Sequence, residues 1–415
     1  MKRQSNLGKY DRLSVFRSVC VCIVLSLLYA GCTSLGLTSS VDCAVEDRFY
    51  QESRVPDERI VVVGITADDM QLFPTWPWDR APLVQAVRQL NDDPKQKPAA
   101  IGIDMVLSSE TNGEWDAELA QVCCETGNVV VACRALYDTR AFAAGANRAG
   151  SQTAENVLRP YKQLAAATFQ GHNNIICDGD GIVRRHLWRV QEERGNEVCS
   201  LAEQIYRLYC GYHKVDESFT PSLINNFWYL EYTAHPGAYL TYTLSDIYDG
   251  NFDPADLAGR IVLIGSYLAE DGESYATSID KVQRMYNVEY QANVLDAMLN
   301  HRDMAAVSDT VQATVLVFLI AIFSYFLFHI SVFPGLCLYT MASIISTLMA
   351  GVLKDAGYAL HPLWMPMQMS VSMLLALIIH YVRAWEGQRR MLNLFRRYLD
   401  PTILEDLLNG NSTSD

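Results

Sequence analysis

The sequence contains no G-x-x-x-x-G-K-S/T loop, no H-E-x-x-H pair and no C-x-x-C, so the commonest phosphate, zinc and dithiol sites have no candidate residues. Positive charge is scarce: 33 Lys and Arg face 47 Asp and Glu, a net −14, which excludes a basic nucleic-acid surface. Eleven cysteines in 415 residues are too few for a disulfide scaffold. Cys43, Cys123, Cys124, Cys133, Cys177, Cys199 and Cys210 lie outside the apolar runs described below. Their odd number and the adjacent Cys123-Cys124 point to buried thiols with at most one or two bridges. Gly265-Ser266-Tyr267 lacks the second glycine of a nucleophile elbow and no histidine stands in a motif, so acyl transfer is not expected. Asp178-Gly179-Asp180-Gly181 lacks the third acidic ligand and the distant Glu of a calcium loop and reads as a turn. No catalytic and no metal-binding residues are assigned.

What the chain does have is long stretches without charge. Residues 18–41, 310–353 and 356–382 contain no Asp, Glu, Lys or Arg. A helix rises about 1.5 Å per residue, so roughly 20 apolar residues cross a bilayer. The middle run must cross twice, with Pro334-Gly335 as the expected turn. Four spans result, at 17–38, 309–330, 332–353 and 361–382. Lys2, Arg3, Lys9, Arg12 and Arg17 precede the first; Arg383, Arg389, Arg390, Arg396 and Arg397 follow the last. Positive flanks stay in the cytoplasm, which puts residues 1–16 and 383–415 inside and 42–305 outside a plasma (inner) membrane. Leu28-Tyr29-Ala30-Gly31-Cys32 offers a rival reading of the first span, a lipoprotein signal with Cys32 as the lipid-modified terminus. Tyr29 stands where that signal wants an aliphatic residue, and the uncharged run continues well past Cys32.

The outer segment reads as α/β. Ile60-Val61-Val62-Val63-Gly64-Ile65, residues 100–107, 128–132 and 260–265 are short apolar runs rich in β-branched residues, the pattern of strands buried on both faces. Residues 80–90 place Leu83, Val84, Val87 and Leu90 on one helix face, with Asp79 as the expected N-cap. Helices are also expected at 114–124, 200–210 and 290–299, the last leading almost directly into the second span. Strand and helix alternate, which predicts a parallel sheet. A hairpin is expected across 174–185, a loose loop at 141–150 and an edge-type strand at 228–232.

Open parallel sheets bind ligands beyond the carboxyl ends of their strands. Thr66, Asp68, Asp104, Ser108, Glu110 and Ser266 would gather there, with Trp76, Trp78 and Arg80 as a roof. The candidate ligand-binding set is Trp76, Trp78, Arg80, Asp104, Glu110 and Ser266. Core packing or membrane anchoring is the alternative for the tryptophans, and a structural hydrogen bond for Asp104.

At these residues the chain resembles the type 2 CHASE domain, an extracellular sensor family attached to cyclases and histidine kinases. The resemblance rests on ordered pieces: Asp47-Arg48-Phe49, Ile60 to Ile65, Trp76-Pro77-Trp78 with Arg80, Ala100 to Leu107 with Glu110, and Asp116 with Leu119-Ala120. It continues with Asp180-Gly181-Ile182-Val183-Arg184-Arg185, Ser200-Leu201-Ala202, Ser245-Asp246-Ile247 with Gly250, Ile261 to Gly265, and Ala292-Asn293. Thr66 replaces an acidic residue common in the family, and Tyr286-Asn287 replaces a Pro-Gly before the last outer helix.

The tail, Leu394-Phe395-Arg396-Arg397-Tyr398-Leu399-Asp400-Pro401, is similar to the linker entering class III adenylate or guanylate cyclase domains. Leu392, Phe395 and Leu399 make an apolar stripe, and Asp400 with Pro401 restarts a helix. Leu392, Phe395, Leu399 and Pro401 are the expected transmission residues. The resemblance implies a homodimer in the bilayer that senses an unknown extracytoplasmic ligand, with the cyclase output missing from this chain. Mg or Mn with ATP or GTP would be needed only if a cyclase domain follows; this chain is expected to hold no cofactor and no nucleic acid. Two other expectations stay open: the front part of an intact cyclase, and a structural envelope protein that senses nothing.

Overall fold

The computed structural model describes residues 39–73, 79–137, 153–193, 195–216, 219–268 and 273–398, with scattered positions between 20 and 31. Two compact units divide the chain: residues 46–306 with 356–359, and the remainder.

In the first unit, seven strands form the main sheet: β1 (Ile60–Ile65), β2 (Ala100–Ile103), β3 (Val129–Leu136), β4 (Asn156–Leu158), β5 (Phe169–His172), β6 (Leu240–Thr243) and β7 (Ile261–Ser266). The order is β6-β1-β7-β2-β3, with β5 parallel to the first half of β3 and β4 antiparallel to its end. All other pairings in this sheet are parallel. The four apolar runs form β1, β2, β3 and β7, and the latest of them sits between the first two. Complete burial along β1, β2 and most of β7 explains their unbroken apolar character.

Helices α2 (Ala81–Leu90), α3 (Gly113–Thr126), α4 (Leu201–His213) and α5 (Asn287–Leu299) cover the two faces, while Tyr50 of an earlier helix, α1 (Ser39–Tyr50), packs against Tyr229, Met304 and Ala359. Alternation along the strands sorts the two cores. Ile101, Ile103, Val262 and Ile264 pack with Leu83, Val87, Leu119 and Val122 of α2 and α3. Ala100 and Leu263 pack with Ile205 of α4 and Val288 and Leu295 of α5. The tight spots on this second face are glycines: a Cβ on Gly265 would lie 2.6 Å from Val288 Cβ.

Four local expectations are corrected. Helix α2 begins at Ala81 with Arg80 in the N-cap position, and Asp79 serves from one residue earlier by accepting the Ala81 N–H at 3.2 Å. Asp178 and Gly181 close a turn, yet no hairpin forms: Ile182–Val183 pairs with Ser274–Thr277 and Arg185–Leu187 with Phe227–Tyr229. Phe227–Tyr229 is the buried middle strand of a three-stranded sheet, its Trp228 fully covered. Between α5 and the next helix the short strand Ala305–Ala306 intervenes, pairing with Tyr358–Ala359. Residues 141–150 lie outside the described residues, and Cys123, Cys124, Cys133, Cys177 and Cys199 are in no disulfide.

Among the described residues of the second unit, three helices are long and apolar enough to cross a membrane: α6 (Asp309–His329), α7 (Val332–Asp355) and α8 (Trp364–Tyr398), the last over Trp364–Met391. The expected first span lies mostly outside the described residues. The break between α6 and α7 falls at Ile330-Ser331, ahead of Pro334-Gly335, which occupy the first turn of α7. A first-turn proline gives up an N–H that has no intrahelical partner anyway. Arg383 on α8 donates to the carbonyl of Phe328 at 2.7 Å, covering the end of α6. Ser324 and Ser372 join α6 to α8 at 3.0 Å, and Trp364 Nε1 donates to Asp42 of α1 at 3.0 Å.

Candidate functional site

The carboxyl ends of the parallel strands gather a chain of polar side chains that runs from solvent to a sealed floor. Asp104 follows β2 directly and is 2% exposed. Its Oδ1 accepts from Asn173 Nδ2 at 2.8 Å and from Asn287 Nδ2 at 3.3 Å. Asn173 comes directly after β5, and Asn287 is the first residue of α5. Outward, Arg134 of β3 donates through Nε to Asn173 Oδ1 at 3.4 Å and pairs with Glu273 at 2.5 Å. The side chains of Arg134 and Glu273 are 33% and 28% exposed, so this pair forms the rim. Burial pushes the Asp104 carboxyl up to about 8; Asn173 and Arg134 oppose that shift and Glu273 adds to it.

The floor is incompletely satisfied. Asp104 Oδ2, Asn287 Oδ1 and both side-chain polar atoms of Gln291 have no hydrogen-bond partner among the described residues. Gln291 lies one helical turn beyond Asn287, hence on nearly the same side of α5. Nearby in sequence, Tyr290 OH and His186 Nδ1 are 2.9 Å apart, and His186 stacks on His172 with ring centroids 6.5 Å apart. Burial lowers His172 to about 4 and His186 to about 3, so both rings are neutral at pH 7.

The residues expected to share one crevice separate across the sheet. Asp104 continues the Ala100 and Gly102 side, toward α4 and α5. Arg80 serves the opposite core: its Nη2 donates to Ser109 O at 2.9 Å and its Nε lies 3.3 Å from Asp116 Oδ1. Asp116 also accepts the N–H groups of Thr111 and Asn112, so Arg80 ties α2 to the start of α3. Ser266 alternates with Val262 and Ile264 toward that same core, and its Oγ accepts from Leu268 N at 3.1 Å. Glu110, Ser108 and Asp68 are exposed, and Thr66 is bonded to Asp69 as a helix N-cap. Trp76 and Trp78 lie outside the described residues. No group of three or more His, Cys, Asp or Glu among the described residues could hold a metal ion.

The carboxyl ends of the parallel sheet thus hold a buried polar cluster, and apolar helices follow the sheet in the chain. The model of the CHASE2 domain matches residues 19–328. The chain belongs to the CHASE2 domain family. No curated protein and no solved structure matches it. The CHASE2 domain family is a family of sensor domains, which supports a sensing role, and the three apolar helices among the described residues suggest a membrane protein.

Within this CHASE2 domain the residues that sequence reasoning missed are Asn173, Asn287, Gln291, Arg134 and Glu273. Asn287 carried one signal, standing where the resemblance expects a glycine without a side chain. The others are spread over four segments and meet only through the fold. Of the expected transmission residues, Leu392 and Phe395 fall on α8, with side chains outside the described set; Leu399 and Pro401 lie outside it entirely.

Proposed function

We propose that this chain is the membrane-anchored, extracytoplasmic sensor of a class III nucleotide cyclase, with four spans, both ends in the cytoplasm and a homodimeric state. The carrying observation is the CHASE2 match, which begins inside the expected first span and ends inside α6. The positive residues flanking the first and last spans support the orientation. The ligand crevice of this reading centres on Asp104, Asn173 and Asn287. The signal leaves along the chain from α5 through Ala305–Ala306, whose strand partner Tyr358–Ala359 lies between α7 and α8. That pairing supports a route to α8, the helix continuing without a break through residues 383–398 toward an output domain. Two helices then receive the motion of one sensor.

The test joins the chain through its own linker to a complete cyclase catalytic domain and exposes cells to concentrated external metabolites. Cyclic nucleotide should change with an external fraction, and Asp104→Asn should remove the change while membrane abundance holds. Alkaline phosphatase fused after Leu299 should be active and after Asn409 inactive; the reverse pattern sinks the orientation.

A further inference from the structure

Helix α8 is the element on which the membrane-type helices converge. At its head, Trp364 Nε1 donates to Asp42 of α1 at 3.0 Å. Just before it, His361 exchanges two bonds with Gln312 of α6, its N–H donating to Oε1 at 3.1 Å and its carbonyl accepting from Nε2 at 3.0 Å. Part-way along, Ser324 Oγ donates to Ser372 Oγ at 3.0 Å in a buried contact. Further on, His380 Nε2 donates to Leu327 O at 3.2 Å and Arg383 Nη1 to Phe328 O at 2.7 Å. Those carbonyls lie in the last turn of α6, where no intrahelical N–H remains for them. Helix α7 reaches the same helix through Tyr339 OH and Ser370 Oγ, 2.8 Å apart.

Later residues of α6 bond later residues of α8, so the two run in parallel, and Phe323 and Leu327 share an apolar cluster with Met369 and Met373. A slide of α6 along α8 by half a helical turn, about 2.7 Å, would stretch every one of these bonds past hydrogen-bonding range. In hydrocarbon no water replaces a lost partner. Bonds at both ends and between them also resist tilting, since a pivot spares only one level. We infer that α6 and α8 move as one body and that α8 collects what arrives through α1 and α6, with His380 and Arg383 as the positioning residues that fasten the pair where α8 runs on beyond it. This deepens the proposed sensor reading and rests on it for its purpose: α6 follows the strand Ala305–Ala306 in the chain, and α8 is the helix that continues to Tyr398. A push on α6 is delivered at residue 383 without slippage.

The first test needs neither ligand nor cyclase. Full-length chain with its native thiols replaced, in lipid nanodiscs and diluted with unlabelled chain, carries spin labels at Ile322→Cys and Ile378→Cys, positions 58% and 51% exposed. Pulsed dipolar spectroscopy should give one narrow distance distribution. Combining Ser372→Ala, His380→Leu and Arg383→Leu should at least double its width, and Tyr339→Phe should leave it alone. Labels at Ile345→Cys and Ile378→Cys report α7 against α8, and that distribution should keep its width in the triple variant. Among single changes, Arg383→Leu should broaden the α6–α8 distribution and Arg383→Lys, which keeps a donor, should not.

A broad or two-peaked α6–α8 distribution in the native sequence overturns the inference, as does an unchanged width in the triple variant. If the triple variant loosens both label pairs alike, the comparison of Arg383→Leu with Arg383→Lys decides, and equal widths there overturn it. In the cyclase fusion, Arg383→Leu should abolish the response to the active external fraction at unchanged membrane abundance, and Arg383→Lys should restore it; a full response in Arg383→Leu overturns the transmitting role. A fusion that answers no fraction while the labels behave as expected removes the sensor reading and leaves the paired helices standing.

Discussion

Arg184 grips Asp47 with two parallel hydrogen bonds, Nε to Oδ1 at 2.7 Å and Nη2 to Oδ2 at 2.9 Å, across 137 residues of sequence. Both side chains are 3% exposed, and Asp178, Asp180 and Lys281 complete the cluster. Two of the sequence pieces that carried the CHASE resemblance are thereby one physical object. Arg184→Met should cost about 3–5 kcal/mol, since it strands a buried carboxylate. Asp47→Asn added to that variant should restore part of the loss. The check is a double-mutant cycle by chemical denaturation; independent, additive losses would show that the pair is not coupled.

Glycines at two contacts should differ in tolerance. A Cβ on Gly171 meets backbone, Leu201 Cα at 2.6 Å and Ser200 O at 2.7 Å, whereas one on Gly102 meets the flexible ends of Ile205 and Leu263. Gly171→Ala should cost about 3 kcal/mol or more and Gly102→Ala about 1. Ile205→Val should relieve only the second. Equal losses in denaturant midpoint would contradict the contact geometry.

Stability should peak near neutral pH for opposing reasons. His172 and His186 are neutral in the fold and protonate more readily when unfolded, so stability falls as pH drops from about 6.5 toward 4, by about 1.4 kcal/mol per pH unit for each ring. Asp104, raised to about 8, holds a proton that the unfolded chain sheds from about pH 4, so its contribution falls as pH rises toward 8. Asp104→Asn should flatten the alkaline limb and steepen the acid limb, where the Asp104 contribution opposes that of the histidines. An unchanged alkaline limb in the variant's thermal unfolding would mean that Asp104 is ionised in the fold.

The proposed homodimer makes a prediction at the end proposed to lie in the cytoplasm. With native thiols removed, a single cysteine at Leu399 should cross-link into a dimer readily and one at Arg397 should not. Equal, weak bands on a non-reducing gel would leave the stripe of Leu392, Phe395 and Leu399 lying on lipid, as amphipathic helices do.

Much of the sheet was legible because strands buried on both faces advertise themselves as apolar runs; β1, β2, β3 and β7 all came from that signal. The site was less legible. Arg80, Ser266 and Asp104 follow one another in topology, but the two-residue period sends Asp104 to one face and Ser266 to the other. Residues 228–232 read as an edge because Glu231 interrupts the aromatics. Its carboxylate is instead paired with Arg54 at 2.5 Å, which lets that segment be buried. Asn173 and Asn287 meet Asp104 only through pairings that no local pattern encodes.

The pairing of Ala305–Ala306 with Tyr358–Ala359 has a practical consequence for anyone cutting this protein into parts. Residues 356–359 belong to the same compact unit as residues 46–306, yet α6 and α7 separate them in the chain. No single uninterrupted fragment therefore contains the whole sensor without also containing two hydrophobic helices. A soluble fragment ending before α6 would lose a strand partner from its exit and leave an open backbone edge there. Grafts and crystallisation fragments that keep the chain through α8, or supply the 356–359 strand by circular rearrangement, preserve what the fold treats as one body.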